Sequence, residues 1–387
     1  MHLYQALAER VAAWRASHYH HEAYPTIAEI LEWAADPDGS GFRLRLPQVR
    51  ALETYWYLRL VLATPHVRDL YAQLFPDVND HLSALGVPLE AFSQAGYQLD
   101  RLWERVETDD EFVRAHRFQA LRETLTLGYP SYILALAMGA GKTALIGAVF
   151  ATEFAMSLEY PDGPFVENAL VFAPGKTIIE SLRELAEVRY NRILPPRLHK
   201  AFAASIKLTF TRDGERDIPV IAGSAYNVVV TNTEKIRIQK ETIRKGDLGP
   251  LFSPAQEDEA KAEVANLRLQ KIASLPNLAI FSDEAHHTYG RALDTELKKV
   301  RKTVDYLAQQ TSVLCVVNTT GTPYYNKQPL RDVVVWYGLS EGIRDGILKG
   351  VQGNIRAFEF ESDQADRLVD YLVRDFIADY GDVCLPN

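Results

Sequence analysis

Leu134-Ala-Leu-Ala-Met-Gly-Ala-Gly-Lys-Thr143 ends as a phosphate-binding loop ends, in Gly-Lys-Thr, yet lacks the glycine that usually opens one. The pattern G-x-x-x-x-G-K-[ST] calls for Gly at position 136, where this chain has Leu136. The context still gives the loop meaning. An apolar run from Tyr132 to Ala137 reads as a strand, and a helical pattern starts near Lys142. Backbone N–H groups gathered where a strand turns into a helix surround a phosphate. Gly139 and Gly141 let the chain turn and approach phosphate oxygens with no Cβ in the way. In such a site Ala140 and Ala144 add backbone amides, Lys142 reaches the β- and γ-phosphates, and the Thr143 hydroxyl ligates magnesium.

Two further stretches belong with this loop. Phe281-Ser-Asp-Glu-Ala-His-His287 follows the apolar run Leu278-Ala-Ile-Phe281, and an acidic pair at the C-terminal end of a parallel strand lies beside the ligand crevice of such sheets. Asp283 is expected to hold magnesium, directly or through water, and Glu284 to orient and deprotonate the attacking water. Asn318-Thr-Thr-Gly-Thr-Pro323 ends the next run, SVLCVVN, and its hydroxyls are placed to sense the γ-phosphate side of the site. Any one of these is a common turn; three in this order, each after an apolar strand, indicate an NTP site.

The remaining sequence supports an α/β reading. Residues 1 to about 127 are mostly helical: LYQALAERVAAWRASHY, AEILEWAA, QVRALETYWYLRLVLA and FVRAHRFQALRETLTLG repeat apolar side chains every three or four positions. From Tyr132 the runs YILALA, NALVFA, NVVVTN, NLAIFS and SVLCVVN alternate with helix-like segments such as ALIGAVFATEFAMSL and TIIESLRELAEVRY. Continuous apolar strands between helices predict a parallel sheet covered on both faces. The charged stretch 254–271, PAQEDEAKAEVANLRLQK, reads as a surface helical insertion, and the tail from Asn354 as a strand, IRAFEF, and an amphipathic helix.

Composition narrows the classes. In 387 residues, 42 Lys and Arg against 51 Asp and Glu give a formal charge of −9, so any contact with nucleic acid comes from local groups rather than the overall field. Two cysteines, Cys315 and Cys384, leave no disulfide framework or zinc site and suit a reducing cytoplasm. No run is long enough to span a membrane, and MHLYQALAER lacks a signal peptide's apolar core. His18, His20, His21 and Glu22 are a weak metal candidate in a polar loop.

The three motifs resemble those of superfamily 2 helicases and translocases, the DEAD/DEAH-box group. GAGKT is similar to motif I, whose first position varies in that group and so accommodates Leu136; DEAHH is similar to motif II and TGTP to motif III. With RLPQVRALETYWYLRLV and VVVWYGLSEGIRDGILKGV, the chain resembles the restriction-subunit helicases of type III restriction systems and related phage-defence helicases, over roughly residues 43 to 352. The resemblance implies a RecA-like domain that uses ATP and magnesium, with Lys142, Asp283, Glu284 and His286 in its catalytic set. His287, Thr320, Gly321 and Thr322 would couple hydrolysis to movement. Motif Ia would be Phe172-Ala-Pro-Gly-Lys-Thr177 and motif Ib or Ic would hold Val230-Thr-Asn232, so that Pro174, Lys176, Thr177, Thr231 and Asn232 meet the backbone of DNA. Two glutamines compete to read adenine: Gln48 in LPQVRALET fits the restriction group better, while Gln119 in HRFQALRE lies twenty residues before Gly139, beside a possible stacking ring, Phe118.

The implied domains are 1–127, a helical region holding both glutamines; 128–353, the first RecA-like domain; and 354–387, a tail toward a second such domain in cis or trans. The family also needs that second domain for its arginine finger. About sixty-five residues follow TGTP, too few for it, and Arg291 and Arg301 follow motif II on the wrong side to replace it. The expectation is the ATP-binding half of a DNA motor, with methyltransferase or other defence subunits as further partners. A nucleotide-dependent scaffold and an RNA-directed helicase are the alternatives.

Overall fold

A run of apolar residues long enough for a strand, with no polar face, must be covered on both sides, and the strands obey that rule. The computed structural model describes residues 1–35, 44–173, 182–211, 218–232, 235–236, 238–240, 263–283, 294–325 and 328–349. Numbered in chain order, β1 (Ser131–Leu136), β2 (Asn168–Ala173), β3 (Lys207–Phe210), β4 (Asn227–Asn232), β7 (Leu278–Ser282), β8 (Val313–Thr320) and β11 (Val333–Tyr337) form one sheet in the order β11-β1-β8-β7-β2-β4-β3. Every pairing in it is parallel. β1, β4 and β7 are buried along their whole length. β5 (Ile238–Lys240) with β6 (Glu263–Ala265), and β9 (Tyr324–Tyr325) with β10 (Gln328–Pro329), are small antiparallel pairs.

The helices are α1 (Leu3–Ala16), α2 (Thr26–Ala35), α3 (Leu46–Trp56), α4 (Val67–Leu74), α5 (Val78–Leu85), α6 (Leu89–Gln94), α7 (Leu99–Thr108), α8 (Asp110–His116), α9 (Gln119–Leu125), α10 (Lys142–Glu159), α11 (Tyr190–Ile193), α12 (Pro196–Ser205), α13 (Leu267–Ala273), α14 (Asp294–Gln310) and α15 (Leu339–Arg344). Residues 1–342 form one compact unit and 343–387 a second. This is a RecA-like α/β fold with a helical N-terminal region.

α10 shows why the fold needs those N-terminal helices. Its residues from Leu145 to Ser157 are all buried, without the polar face of an ordinary surface helix. The sheet covers one side, with Phe150 against Phe281, and α2, α3, α11 and α12 cover the rest. On the other face of the sheet, Leu269 and Ile272 of α13 and Val304 and Leu307 of α14 pack on Leu170, Phe172, Val229 and Ile280. Ala120 of α9 packs on Ile133, Ala135 and Val333 at the β11 side.

Three readings of the sequence are corrected. Of the stretch 254–271, residues 254–262 lie outside the described residues, and 263–271 do not form a surface helix: Glu263–Ala265 pairs as a strand, and Leu269 and Ile272 of the following helix are core residues. Apolar side chains at helical spacing belong in a core whatever the charge around them. TIIESLRELAEVRY is not one helix. Leu182 and Leu185 are buried three residues apart around a 3₁₀ turn, Arg183–Ala186, whose three-residue period fits that spacing. FVRAHRFQALRETLTLG is two helices, broken where Arg117 takes a left-handed backbone at φ +56. The tail from Asn354 and Cys384 lie outside the described residues.

Candidate functional site

The end of β1 turns into α10 through Ala137–Gly141. Gly139 and Gly141 take φ +81 and +88, conformations an L side chain resists, which is the physical need for glycine at both positions. A Cβ on Gly141 would stand 2.3 Å from Gln48 Nε2. Ala140 is fully buried beneath the turn and its N–H donates to Ala137 O (3.1 Å), while Ala137 N–H donates to Tyr337 O (2.8 Å). Lys142 is buried at the first turn of α10, and Thr143 and Ala144 behind it are half-buried.

α3 holds this loop from the side. Gln48 Nε2 donates to Gly141 O (2.8 Å), and Arg45 donates through Nη1 to Gly139 O (2.9 Å). Gln48 Oε1 meanwhile accepts from Arg45 N–H (2.7 Å), capping α3 and fixing the amide. Of the two candidate glutamines, the structure brings Gln48 to the loop. Gln119 opens α9, whose next residue packs on the sheet face. Its neighbour Phe118 is buried between Phe112 and His116, at 5.7 and 5.4 Å between ring centroids, which leaves no face for a base.

Strand order explains how motifs distant in sequence meet. β8 lies between β1 and β7, so the ends of β1 and β7 are two strand spacings apart, about 10 Å. Asp283 continues β7, its N–H donating to Phe172 O (3.1 Å), and it is buried. Its Oδ1 accepts from Thr319 Oγ1 at 2.8 Å. Thr319 was not among the residues singled out from the sequence; the expected Thr320 instead turns inward and accepts from Thr322 N–H (3.1 Å). The strand period of two could have found it, since alternate residues of β8 face opposite ways. Gly321 lies against the loop: a Cβ there would be 3.5 Å from Leu136 O and Met138 N, and 3.9 Å from Lys142 Nζ.

Thr231 and Asn232 do not fit the surface contact read from the sequence. Both are fully buried; the Thr231 hydroxyl accepts from Thr211 Oγ1 (2.9 Å), and Asn232 Oδ1 accepts from Lys235 N–H (3.0 Å). Pro174, Lys176, Thr177, Glu284, His286, His287 and Arg291 lie outside the described residues. Arg301, on α14, is paired with Glu123 (2.9 Å). His18 meets Glu32 (3.1 Å), and His21 Nδ1 accepts from Tyr24 N–H (3.1 Å).

A parallel sheet with this loop after β1, an acid after β7 and a threonine turn after β8 defines a RecA-like domain of helicase superfamily 2. The family model for the type III restriction enzyme res subunit matches residues 112–325, more than half of the chain, and the chain belongs to that family. Comparison with curated proteins returns no match. Among the described residues no helix is long and apolar enough to cross a membrane.

Proposed function

We propose that the chain is the ATP-binding half of an ATP-dependent DNA helicase or translocase acting in restriction or phage defence. The observation that carries the proposal is the meeting of Gly139–Thr143, Asp283 and the Thr319–Thr322 turn at one end of the sheet, with Thr319 donating to Asp283. These residues fit a polyphosphate with a hard cation: two glycines take positive φ values that an L side chain resists, and a hydroxyl and an aligned carboxylate supply oxygen ligands. ATP with magnesium would supply the cleavable phosphoanhydride and the charge that makes it electrophilic.

In this reading the amides of Gly139 to Ala144 bind the phosphates, Lys142 neutralises them, and Thr143 and Asp283 hold the cation. Thr319 fixes the Asp283 rotamer, and Glu284 takes the proton of the attacking water, with His286 in the same catalytic set. Gln48 reads whether the loop is in place, through Gly141 O. His287, Thr320, Gly321 and Thr322 pass the state of the site on. Residues 128–353 would be the first RecA-like domain, with 354–387 leading to a second that supplies the arginine finger.

The burial of Thr231 and Asn232 and the charge of −9 favour one other reading, a nucleotide-dependent scaffold that never moves along DNA. The test separates the two. ATP with magnesium should raise the melting temperature of the purified chain, and Lys142→Ala should abolish that rise; a rise that survives the change disproves the loop assignment. Single-stranded DNA should then stimulate turnover once the second domain is supplied, and Glu284→Gln should stop turnover while keeping ATP bound. Turnover indifferent to DNA would favour the scaffold.

A further inference from the structure

Beyond the motor reading, and sharing no residue with the phosphate loop, a cavity of about 220 Å³ opens at the β11 edge. Its walls include His2, Tyr4, Tyr71, Tyr324, Arg331 and Trp336. The rings form a ladder. His2 stacks on Tyr4 at 5.4 Å and 7°, Tyr4 on Trp336 at 5.7 Å and 25°, and Tyr324 meets Trp336 edge-on at 5.9 Å and 89°. Such centroid separations are those of aromatic pairs that attract one another. Tyr324 nevertheless leaves 46% of its surface in water, a large ring on a two-residue strand that the fold does not need for burial.

The cation beside the rings is held in place. Tyr71 Oη donates to the Arg331 carbonyl (2.8 Å), and Arg331 Nη1 donates to Ala84 O (3.3 Å), one of the five N–H groups a guanidinium offers. Burial, and then the Arg331 charge, hold His2 below its ordinary pKa, so its ring is neutral at pH 7 and stacks as a neutral ring. Glu341, which faces Tyr4, is occupied by the Gly338 N–H (3.0 Å).

We propose that this cavity binds a nucleobase that carries a phosphate, the base stacking on the exposed ring of Tyr324 with its edge toward Trp336, which Tyr4 already stacks on, and the phosphate pairing with Arg331. The size suits one planar ring system: clefts for drug-sized ligands run to ~300–1,000 Å³, so at about 220 Å³ the sugar and phosphate stay at the rim. An apolar ligand would have no use for a fixed guanidinium, and an inorganic anion none for the rings. Base–aromatic stacking tolerates any base, because every base has a π face.

A phosphorylated base can arrive as a free nucleotide or within a single strand, and two probes separate these sources: AMP, followed by tryptophan fluorescence, and fluorescein-labelled oligo(dA), followed by anisotropy. Tyr324→Ala should weaken binding about tenfold or more, and Tyr324→Phe should restore it. Arg331→Gln should weaken it too and flatten its salt dependence, which serves as the second variant if Tyr324→Ala melts early. AMP binding lost in Tyr324→Ala supports a free nucleotide; oligo(dA) binding alone, lost in the same variant, supports a strand. Affinities indifferent to both Tyr324→Ala and Arg331→Gln, or no binding of either probe, overturn the proposal.

Discussion

Two regions of the same unit bury a carboxylate completely and treat it in opposite ways. Where α3 packs on α10, Glu153 accepts from Arg59 Nε (2.6 Å), Tyr55 Oη (2.6 Å) and Val166 N–H (2.9 Å). Arg59 spends its other donors on Thr64 Oγ1 and Pro164 O, both at 2.7 Å. It reaches them from the π-helical turn Tyr57–Val61, a widened turn that follows α3. At the foot of β11, Asp332 is equally buried, but neither of its oxygens has a hydrogen-bond partner among the described residues. His81 Nε2, in the helical layer above, is likewise without one. The first region is held by charges that satisfy each other. The second tolerates a carboxyl only by keeping it protonated: burial pushes Asp332 up to about 8.

The largest effect expected from breaking this contrast is Arg59→Met. Removing one partner of a buried pair costs ~3–5 kcal/mol, which urea denaturation should show as a lower midpoint. Adding Glu153→Gln should recover part of it, because a neutral amide can still accept from Tyr55 and Val166. A midpoint unmoved by Arg59→Met would mean that water reaches Glu153.

Asp332 should reverse the usual pH behaviour of a carboxylate. The folded chain holds this proton up to about pH 8 and the unfolded chain only to 3.8, so between those values the folded state binds more protons and its stability falls as pH rises. The slope from this one group approaches 1.4 kcal/mol per pH unit. Its contribution is fully present below 3.8 and lost as pH passes about 8. Melting curves at pH 6 and pH 9 should therefore draw together in Asp332→Asn. If the wild type and the variant lose stability in parallel, another group titrates there.

The smallest change tests a neutral group on the well-satisfied side. Gln48→Ala removes the bonds to Gly141 O and Arg45 N–H, and should cost about 1 kcal/mol of stability and weaken ATP-dependent stabilisation several-fold. Gln119→Ala is the control, expected to leave nucleotide response within about twofold. Equal losses in both variants would show that Gln48 acts on the fold rather than on the loop.

These contrasts also separate what could be read from the chain from what could not. YILALA, NALVFA, NVVVTN, NLAIFS and SVLCVVN are strands because a run with no polar side must be covered twice, and that requirement is written in consecutive residues. The glycine turn after β1 was legible for the same reason: glycine at two positions of positive φ, then lysine and threonine, is a local demand met locally. The short edge strand β3, of four residues with Lys207 exposed and the other three half-buried, carries no such pattern. The surface position expected for 254–271 does not hold for its described part, because Leu269, with Ile272 just beyond, is apolar at helical spacing and is buried in the core whatever charges flank it.

The sequence by itself determined the class of fold, the glycine turn after β1 and the acid that follows β7, since each depends on neighbours close in the chain. Only the tertiary structure decided that Thr319 rather than Thr320 reaches Asp283, that Gln48 rather than Gln119 touches the loop, and that Thr231 and Asn232 are buried. It alone made Glu153 a paired carboxylate and Asp332 a protonated one. Strand order and helix docking bring together residues from Gln48 to Thr319, and the environment of a polar atom depends on what closes over it, which no stretch of consecutive residues encodes.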